Sequence, residues 1–242
     1  FNFKKLKITS QIFNFFFLIS ISGVVIPGTL FYIAASKVPA GILSLSVAFV
    51  PMLTYVSSLY LKIETFSLLR ISGVFLGFIA IFLLIGPPDS FADRSMVPWV
   101  LLAMICPICY TFENVFIDIK KPIEVNSITL ALGSSAITIL ILLPVVFYFE
   151  LFIDIKYPFQ KIEFSIIALG FITAVAYTLF IYLITNAGAV FASNVGYVVT
   201  ISGVIWGIVL FQETHSYWVW LSLITMIIGL SLVSPRRKTK KY

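Results

Sequence analysis

Apolar stretches of about twenty residues follow one another through almost the whole chain, and each is long enough to cross the hydrocarbon core of a bilayer as one α-helix. The sequence contains eight of them: Ile12 to Ala35, Ile42 to Leu61, Phe66 to Ile85, Val97 to Ile117, Ile128 to Phe149, Phe164 to Ile184, Val190 to Phe211, and Tyr217 to Val233. They leave almost no chain for a soluble domain. The sequence therefore predicts an all-α polytopic membrane protein whose function lies among its helices or in their short loops.

Charged residues are few and are sorted by loop. They make up 11% of the chain, whereas soluble domains usually contain about a quarter. If the eight stretches cross the membrane alternately, twelve of the sixteen Lys and Arg residues fall on one side. This positive-inside bias predicts a protein of the cytoplasmic membrane with both visible ends in the cytoplasm. The net charge of +6 is thus a signal of topology, and it gives no reason to expect nucleic acid as a partner.

One segment of the chain occurs twice. A shift of 149 positions, without a gap, lays residues 38–65 on residues 187–214. Identical residues in this register, extended to both sides, include Phe31 and Phe180, Ala40 and Ala189, Ser44 and Ser193, Val50 and Val199, Leu61 and Leu210, Glu64 and Glu213, Thr65 and Thr214, and Ser67 and Ser216. The copies are five spans apart, and an odd shift inverts the second copy in the membrane. Inverted repeats of this kind occur in many secondary transporters.

The repeat divides the chain into three parts. Residues 1–86 form the first predicted repeat, residues 97–234 the second, and residues 235–242 a basic cytoplasmic tail. The linker between the repeats, GPPDSFADRSM, has the Pro and acidic residues of a solvated turn. The register places the start of the first repeat about 50 residues before Phe1. We therefore expect two inverted five-helix repeats, ten helices in all, of which eight are visible and the first two are missing from this sequence.

Two glycine pairs have the GxxxG spacing that allows membrane helices to approach each other closely. They are Gly73 with Gly77 in the third stretch and Gly203 with Gly207 in the seventh. The motif is common in membrane helices. We therefore interpret both pairs as packing positions.

Three features occur in the same order in both copies of the repeat, in residues 31–77 and 180–229. Each copy has a small-residue turn, a span with a central break, and Glu-Thr before the last helix. In this pattern the chain resembles the EamA-type transporters of the drug/metabolite transporter superfamily, although Thr200 stands where the first copy has Pro51. The resemblance implies two inverted halves around a central cavity. It also implies alternating-access transport of a small metabolite, such as an amino acid, an amine or a nucleotide-like solute, without a cofactor.

Glu113 is the ionisable residue that is most costly to place in a membrane. It lies in the fourth stretch, and a charged side chain at the bilayer centre costs roughly 2.5–3.5 kcal/mol on insertion scales and less toward an interface. One interpretation is a proton site or a counter-charge for a cationic substrate. The other is that Glu113 is shallow enough to reach water, since Asp118 and Lys120 follow within two turns. The sequence leaves both interpretations open.

Further polar and aromatic residues of the fourth, sixth and seventh stretches complete a predicted substrate site. Such groups orient a ligand in a mostly apolar cavity, although each of them alone is more often a helix-packing residue. The predicted substrate-binding residues are Glu113, Tyr110, Asn114, Tyr177, Asn194, Tyr197 and Trp206.

The other chemistry-bearing residues have simpler explanations. Glu64 and Glu213 end their spans, and we expect each to cap the first turn of the helix that follows it. Cys106 and Cys109 have the CxxC spacing of metal and redox pairs, but they lie in an apolar span without a second pair, so we expect no metal. His215, the single histidine, lies in a turn and is expected to be solvated.

These observations predict a carrier rather than an enzyme. We expect a small-molecule substrate and the lipid bilayer as partners, no cofactor and no nucleic acid, and we leave a homodimer open. Two alternatives stay open. A non-transporting scaffold or assembly subunit would have no need of two opposed halves, and an intramembrane enzyme would need a polar catalytic pair at matched depth, which the sequence does not contain.

Overall fold

The computed structural model describes residues 9–91, 93–152 and 160–233, and these ranges contain helices and short connections but no strand. The basic tail predicted at residues 235–242 lies outside the described residues. The helices of the first half are α1 (Ser10–Ile19), α2 (Ile26–Ala35), α3 (Ala40–Val47), α4 (Val50–Tyr60) and α5 (Leu68–Ile85). Those of the second half are α6 (Val97–Ala103), α7 (Ile105–Lys120), α8 (Ser127–Tyr148), α9 (Lys161–Ala187), α10 (Ala189–Ser193), α11 (Val195–Phe211) and α12 (Tyr217–Val233).

Successive helices join into long apolar stretches. In the described part of the chain, seven are long and apolar enough to cross a membrane: Ser10–Ala35, Ala40–Tyr60, Leu68–Ile85, Arg94–Lys120, Ser127–Tyr148, Lys161–Ala187 and Ala189–Phe211. The eighth predicted span corresponds to α12, which is apolar but shorter, with 17 residues. The prediction of an all-α polytopic membrane protein is therefore confirmed, with seven long apolar stretches and one shorter apolar helix in the described ranges.

Several of the long stretches are interrupted rather than straight. The break between α3 and α4 comes just before Pro51, and the break between α6 and α7, at Met104, comes just before Pro107. Proline in the first turn of a helix loses no intrahelical hydrogen bond, so each break places its proline where it is tolerated. The third break, at Asn194 between α10 and α11, has no proline. A π-helical segment, Ser20–Val25, joins α1 to α2.

Helices α5 and α12 pack antiparallel along most of their length. The backbone of Gly73 lies against that of Gly229, and the hydroxyl of Ser222 donates to the carbonyl oxygen of Ala80 at 2.7 Å. The 149-position shift converts the first of these pairs into the second, because it lays Gly73 on Ser222 and Ala80 on Gly229. This is the contact pattern that an inverted repeat requires. The packing role predicted for Gly73 is confirmed.

Helices α3 and α11 cross in the middle of the bundle, and they too are antiparallel. The hydroxyl of Ser44 donates to the carbonyl oxygen of Thr200 at 3.1 Å, and the hydroxyl of Thr200 donates to the carbonyl oxygen of Ser44 at 3.2 Å. A Cβ at Gly203 would overlap Ser44, so glycine is needed for this close approach. Two turns earlier on α11, Gly196 packs against Pro51. The packing role predicted for Gly203 is thereby confirmed.

The connections fall on two faces of the bundle. We call the face that carries residues 36–39, 86–91 and 212–216 the Glu213 face, since the hydroxyl of Ser216 donates to the carbonyl oxygen of Ser90 there. The opposite face, which carries residues 61–67 and 121–126, is the Glu64 face. Two buried apolar clusters lie between the faces. One is centred on α3, α4, α5 and α12, and the other on α1, α7, α8 and α9.

Candidate functional site

The carboxyl group of Glu113 is enclosed between three helical segments. Glu113 belongs to α7 and is only 2% exposed. The phenolic O–H of Tyr177, on α9, donates a hydrogen bond of 2.6 Å to its Oε1. No Lys, Arg or His forms an ion pair with it within the described ranges. A buried carboxylate without a cation is costly, so this group is suited to take up a proton or a cationic ligand.

The π-helical segment supplies the third wall of this site. Its Gly23 lies so close to the Glu113 carboxyl that a Cβ at that position would overlap it. A π-helix adds a residue to one turn and so redirects the backbone, and such segments are frequent at functional sites. We call Gly23, Glu113 and Tyr177 the Glu113 cluster. The signal that could have indicated Gly23 is the group of small residues Ser20, Ser22 and Gly23 in an otherwise Phe-rich span.

The side chain of Asn114 follows Glu113 on α7 and is completely buried. Neither its amide nitrogen nor its amide oxygen has a hydrogen-bond partner among the described residues. Buried amides are nearly always hydrogen-bonded in folded proteins, because the desolvation cost of an unpaired one is about 1–3 kcal/mol. Asn114 therefore has unused hydrogen-bonding capacity on the helix that carries Glu113.

The other predicted site residues lie in different environments. Tyr110 is half-buried one turn before Glu113 on α7. Asn194 stands at the break between α10 and α11, where its amide nitrogen donates to the carbonyl oxygen of Val190 at 3.3 Å. Tyr197 packs against the apolar cluster around α3, α4, α5 and α12, and Trp206 is 56% exposed on α11. Among the predicted residues, the structure thus joins Glu113 and Tyr177 by a direct contact, and the substrate roles of all seven stay predictions.

A family model described as the EamA-like transporter family matches residues 97–234. This match covers more than half of the chain. The chain belongs to the EamA-like transporter family. No curated protein matches it significantly. The family assignment confirms the resemblance drawn from the repeat, and it makes this chain a membrane protein of the transporter type. The assignment of residues 1–86 to a first repeat stays a prediction.

The two glutamates at the ends of spans do not act as expected in this EamA-like chain. Glu213 does not cap α12. Its carboxylate accepts the backbone N–H groups of Ala40 (2.6 Å) and Gly41 (3.0 Å), at the start of α3 in the other half. Glu64 does not cap α5 but forms an ion pair of 2.9 Å with Arg70. The predicted local caps were wrong because Glu213 binds a helix start in the other half, and Glu64 pairs with the side chain of Arg70 in the first turn of α5 rather than with the backbone N–H groups there.

His215 is buried rather than solvated. Its side chain is only 1% exposed, and its Nε2 lies 3.4 Å from the carboxylate of Glu213. Burial lowers the pKa of this imidazole from its ordinary value of 6.5, and the negative charge of Glu213 opposes that effect only in part. A cavity of about 440 Å³ adjoins the turn on the Glu213 face, with Asp89 and Met96 among its lining residues.

The cysteine pair is not arranged as a metal or disulfide site. Cys106 and Cys109 are both free thiols, and the Cys106 thiol donates to the carbonyl oxygen of Pro27 at 3.4 Å. Within the described residues, no three His, Cys, Asp or Glu side chains are grouped as a metal ion would require. The two cysteines of the CxxC spacing lie one turn apart on α7.

Proposed function

We propose that this EamA-like chain is part of a secondary transporter that carries a small organic solute across the cytoplasmic membrane by alternating access, as an exporter or exchanger. The observation that supports this proposal best is the Glu113 cluster. A carboxyl group that is buried in a membrane-spanning helix bundle without a cationic partner is retained at a considerable cost. A site that binds and releases a proton or a cationic group during a transport cycle would explain it.

In the proposed mechanism, Glu113 holds either a proton or a positively charged group of the solute, such as an amine. Tyr177 orients the carboxyl through the hydrogen bond to Oε1, and Gly23 leaves the space that the carboxyl occupies. Asn114 offers a free amide for a polar group of the solute. The site is closed in this conformation, so loading requires that the helices around it separate toward one face.

The test is solute flux in proteoliposomes that contain the full-length protein, screened over amino acids, amines and nucleotides with and without a pH gradient. We expect saturable flux that falls by at least about tenfold in Glu113→Gln, because the amide keeps the shape of the side chain but neither titrates nor carries charge. Glu124→Gln is the matched control, since Glu124 is an exposed acid outside the cluster. Unchanged flux in Glu113→Gln at every pH would remove the site from the mechanism.

The alternative function, a non-transporting scaffold, predicts a different result of the flux screen. If the folded and inserted protein moves no solute in this screen, the carrier proposal fails, and Glu113 and Asn114 become packing residues.

We also propose that both visible ends face the cytoplasm, so that the Glu64 face is the inner face. Labelling of single cysteines in the two faces of intact cells would decide this orientation independently of flux.

A further inference from the structure

Two helix starts that are equivalent in the repeat are both held by carboxylates. Ala40 begins α3 and Ala189 begins α10, and the 149-position shift lays one on the other. Glu213 accepts the N–H groups of Ala40 and Gly41, as described above. The N–H of Ala189 is bound by Oδ2 of Asp118 at 3.0 Å. One of these contacts lies on each face of the bundle.

The two carboxylates, however, are not equivalent in the repeat. The equivalent of Glu213 is Glu64, and an exact two-fold arrangement would place Glu64 on the N–H groups of Ala189 and Val190. Instead Glu64 is turned away and paired with Arg70. The structure therefore contains the contact between the halves on the Glu213 face and lacks its counterpart on the Glu64 face.

Two further contacts fix the side chain of Arg70, and they thereby fix the position of its partner Glu64. Its Nε donates to the carbonyl oxygen of Val233 at 3.0 Å, and its guanidinium group lies 4.3 Å from the ring centroid of Tyr55. The repeat equivalent of Arg70 is Val219, so this position holds no cation for Glu213, whose ion-pair partner is His215 at 3.4 Å. The two halves thus share the glutamate and the helix start, but only Glu64 is paired with an arginine of the helix that follows it.

In a transporter with inverted repeats, the two halves exchange conformations during the transport cycle. A contact that closes one face in the first state is then made in the second state by the equivalent residues at the other face. We infer that Glu213 and Glu64 are alternating latches. Glu213 closes its face by binding the start of α3, and in the opposite state it releases α3 while Glu64 leaves Arg70 and binds the start of α10. This inference rests on the proposed transport function.

The residues at the start of α10 fit this exchange. Val190 is the equivalent of Gly41, and the backbone N–H groups of the first turn of a helix have no partner within the helix. Gly188, with φ +88°, precedes the helix start and presents no Cβ toward an approaching carboxylate. In this structure Asp118 binds the N–H of Ala189, and in the opposite state Glu64 would replace Asp118 there.

The experiment measures which face is open, through cysteines at two repeat-equivalent buried positions. Ser44→Cys and Ser193→Cys are introduced singly into protein whose Cys106 and Cys109 are replaced by serine. Both serines are nearly inaccessible, at 5% and 2% exposure. Right-side-out and inverted vesicles are treated with a membrane-impermeant maleimide, without any solute, and the labelling rates are compared.

The inference predicts opposite effects for the two glutamates. Glu213→Gln weakens the latch that is formed here, so labelling at position 44 should rise by roughly fivefold, the factor that loss of a capping interaction gives, while labelling at position 193 falls. Glu64→Gln weakens the opposite state, so labelling at position 193 should rise and labelling at position 44 should fall. Asp89→Asn and Glu124→Gln, at exposed acids on the Glu213 face and the Glu64 face, serve as controls and should change neither rate.

The inference is overturned if Glu64→Gln changes neither rate, or if each variant changes both rates in the same direction, as simple loosening of the bundle would. Gel filtration in detergent checks that the variants fold. If Glu213→Gln does not fold, Glu64→Gln alone decides, because opposite effects at the two positions are not a result of destabilisation. Since no solute is present, a failure of the labelling experiment can be distinguished from a failure of the flux screen.

Discussion

The α5–α12 seam and the Glu113 cluster are built in opposite ways. The seam consists of Gly73, Ala80, Ser222 and Gly229, and each half contributes equivalent residues to it. Within the described residues, the Glu113 cluster is not repeated. The repeat equivalent of Tyr177 is Gly28, and a Cβ at Gly28 would have open space around it. The comparison indicates that the contacts of the α5–α12 seam follow the 149-position shift of the sequence, whereas those of the Glu113 cluster do not.

This difference can be tested by what a substitution changes. Substitutions in the seam should change how much protein folds, because close helix packing is lost there. Substitutions in the Glu113 cluster should change flux per molecule of folded protein, because the packing of α5 against α12 stays intact. A pair of matched variants in each region separates the two effects.

The largest effect is expected for Gly73→Leu. A Cβ at Gly73 would already meet the carbonyl oxygen of Gly229 at 2.5 Å, so a larger side chain must push α5 and α12 apart. Overpacking of a close contact typically costs about 1–3 kcal/mol, and more where backbone must move. The yield of monodisperse protein after detergent extraction should therefore fall by more than about tenfold. Gly170→Leu is the control, since a Cβ at Gly170 meets nothing within 4 Å. Equal yields for both variants would contradict the role of the seam.

A smaller and different effect is expected for Gly23→Ala. The added methyl group overlaps the end of the Glu113 side chain, which is flexible and can rotate away without backbone movement. The protein should therefore fold, but the hydrogen bond from Tyr177 should be lost and flux should drop by roughly tenfold. Gly28→Ala is the matched control on the adjoining α2. A normal flux in Gly23→Ala would show that the position of the carboxyl is not critical.

The sequence predicted the membrane-spanning helices and their packing better than the contacts of the Glu113 cluster. The long apolar spans and the packing role of Gly73 were predictable because they depend on local length and spacing. Glu113 could be identified because a charged residue in an apolar span is rare. The contacts of Gly23 and Glu213 were not predictable, because the first depends on a π-helical turn and the second on a partner 173 residues away.

Tyr177→Phe should lower flux less than Glu113→Gln does. It removes the O–H that donates to the carboxyl but keeps the ring that packs on the cluster of α1, α7, α8 and α9. A hydrogen bond to a charged group contributes about 1.5–3 kcal/mol, and rearrangement of the carboxyl recovers part of it, so a severalfold loss is expected. Tyr182→Phe, an exposed tyrosine on the same helix, should leave flux unchanged. Equal flux in both variants would mean that Tyr177 contributes packing alone.

The smallest effect is expected on the Glu213 face, where His215→Gln should reduce the sensitivity of stability to pH. The pKa of His215 is lowered by burial, so as the pH falls below 6.5 the unfolded chain takes up a proton that the folded chain still resists. The folded state is therefore fully favoured above pH 6.5 and loses stability as the pH falls further through the lowered pKa. The melting temperature in detergent, measured at pH 8 and pH 5.5, should fall by about 2 °C more in the parent protein than in the variant. If acidification stabilised the parent protein instead, protonated His215 would be paired with Glu213 strongly enough to outweigh its burial, and the latch would be tighter in acid.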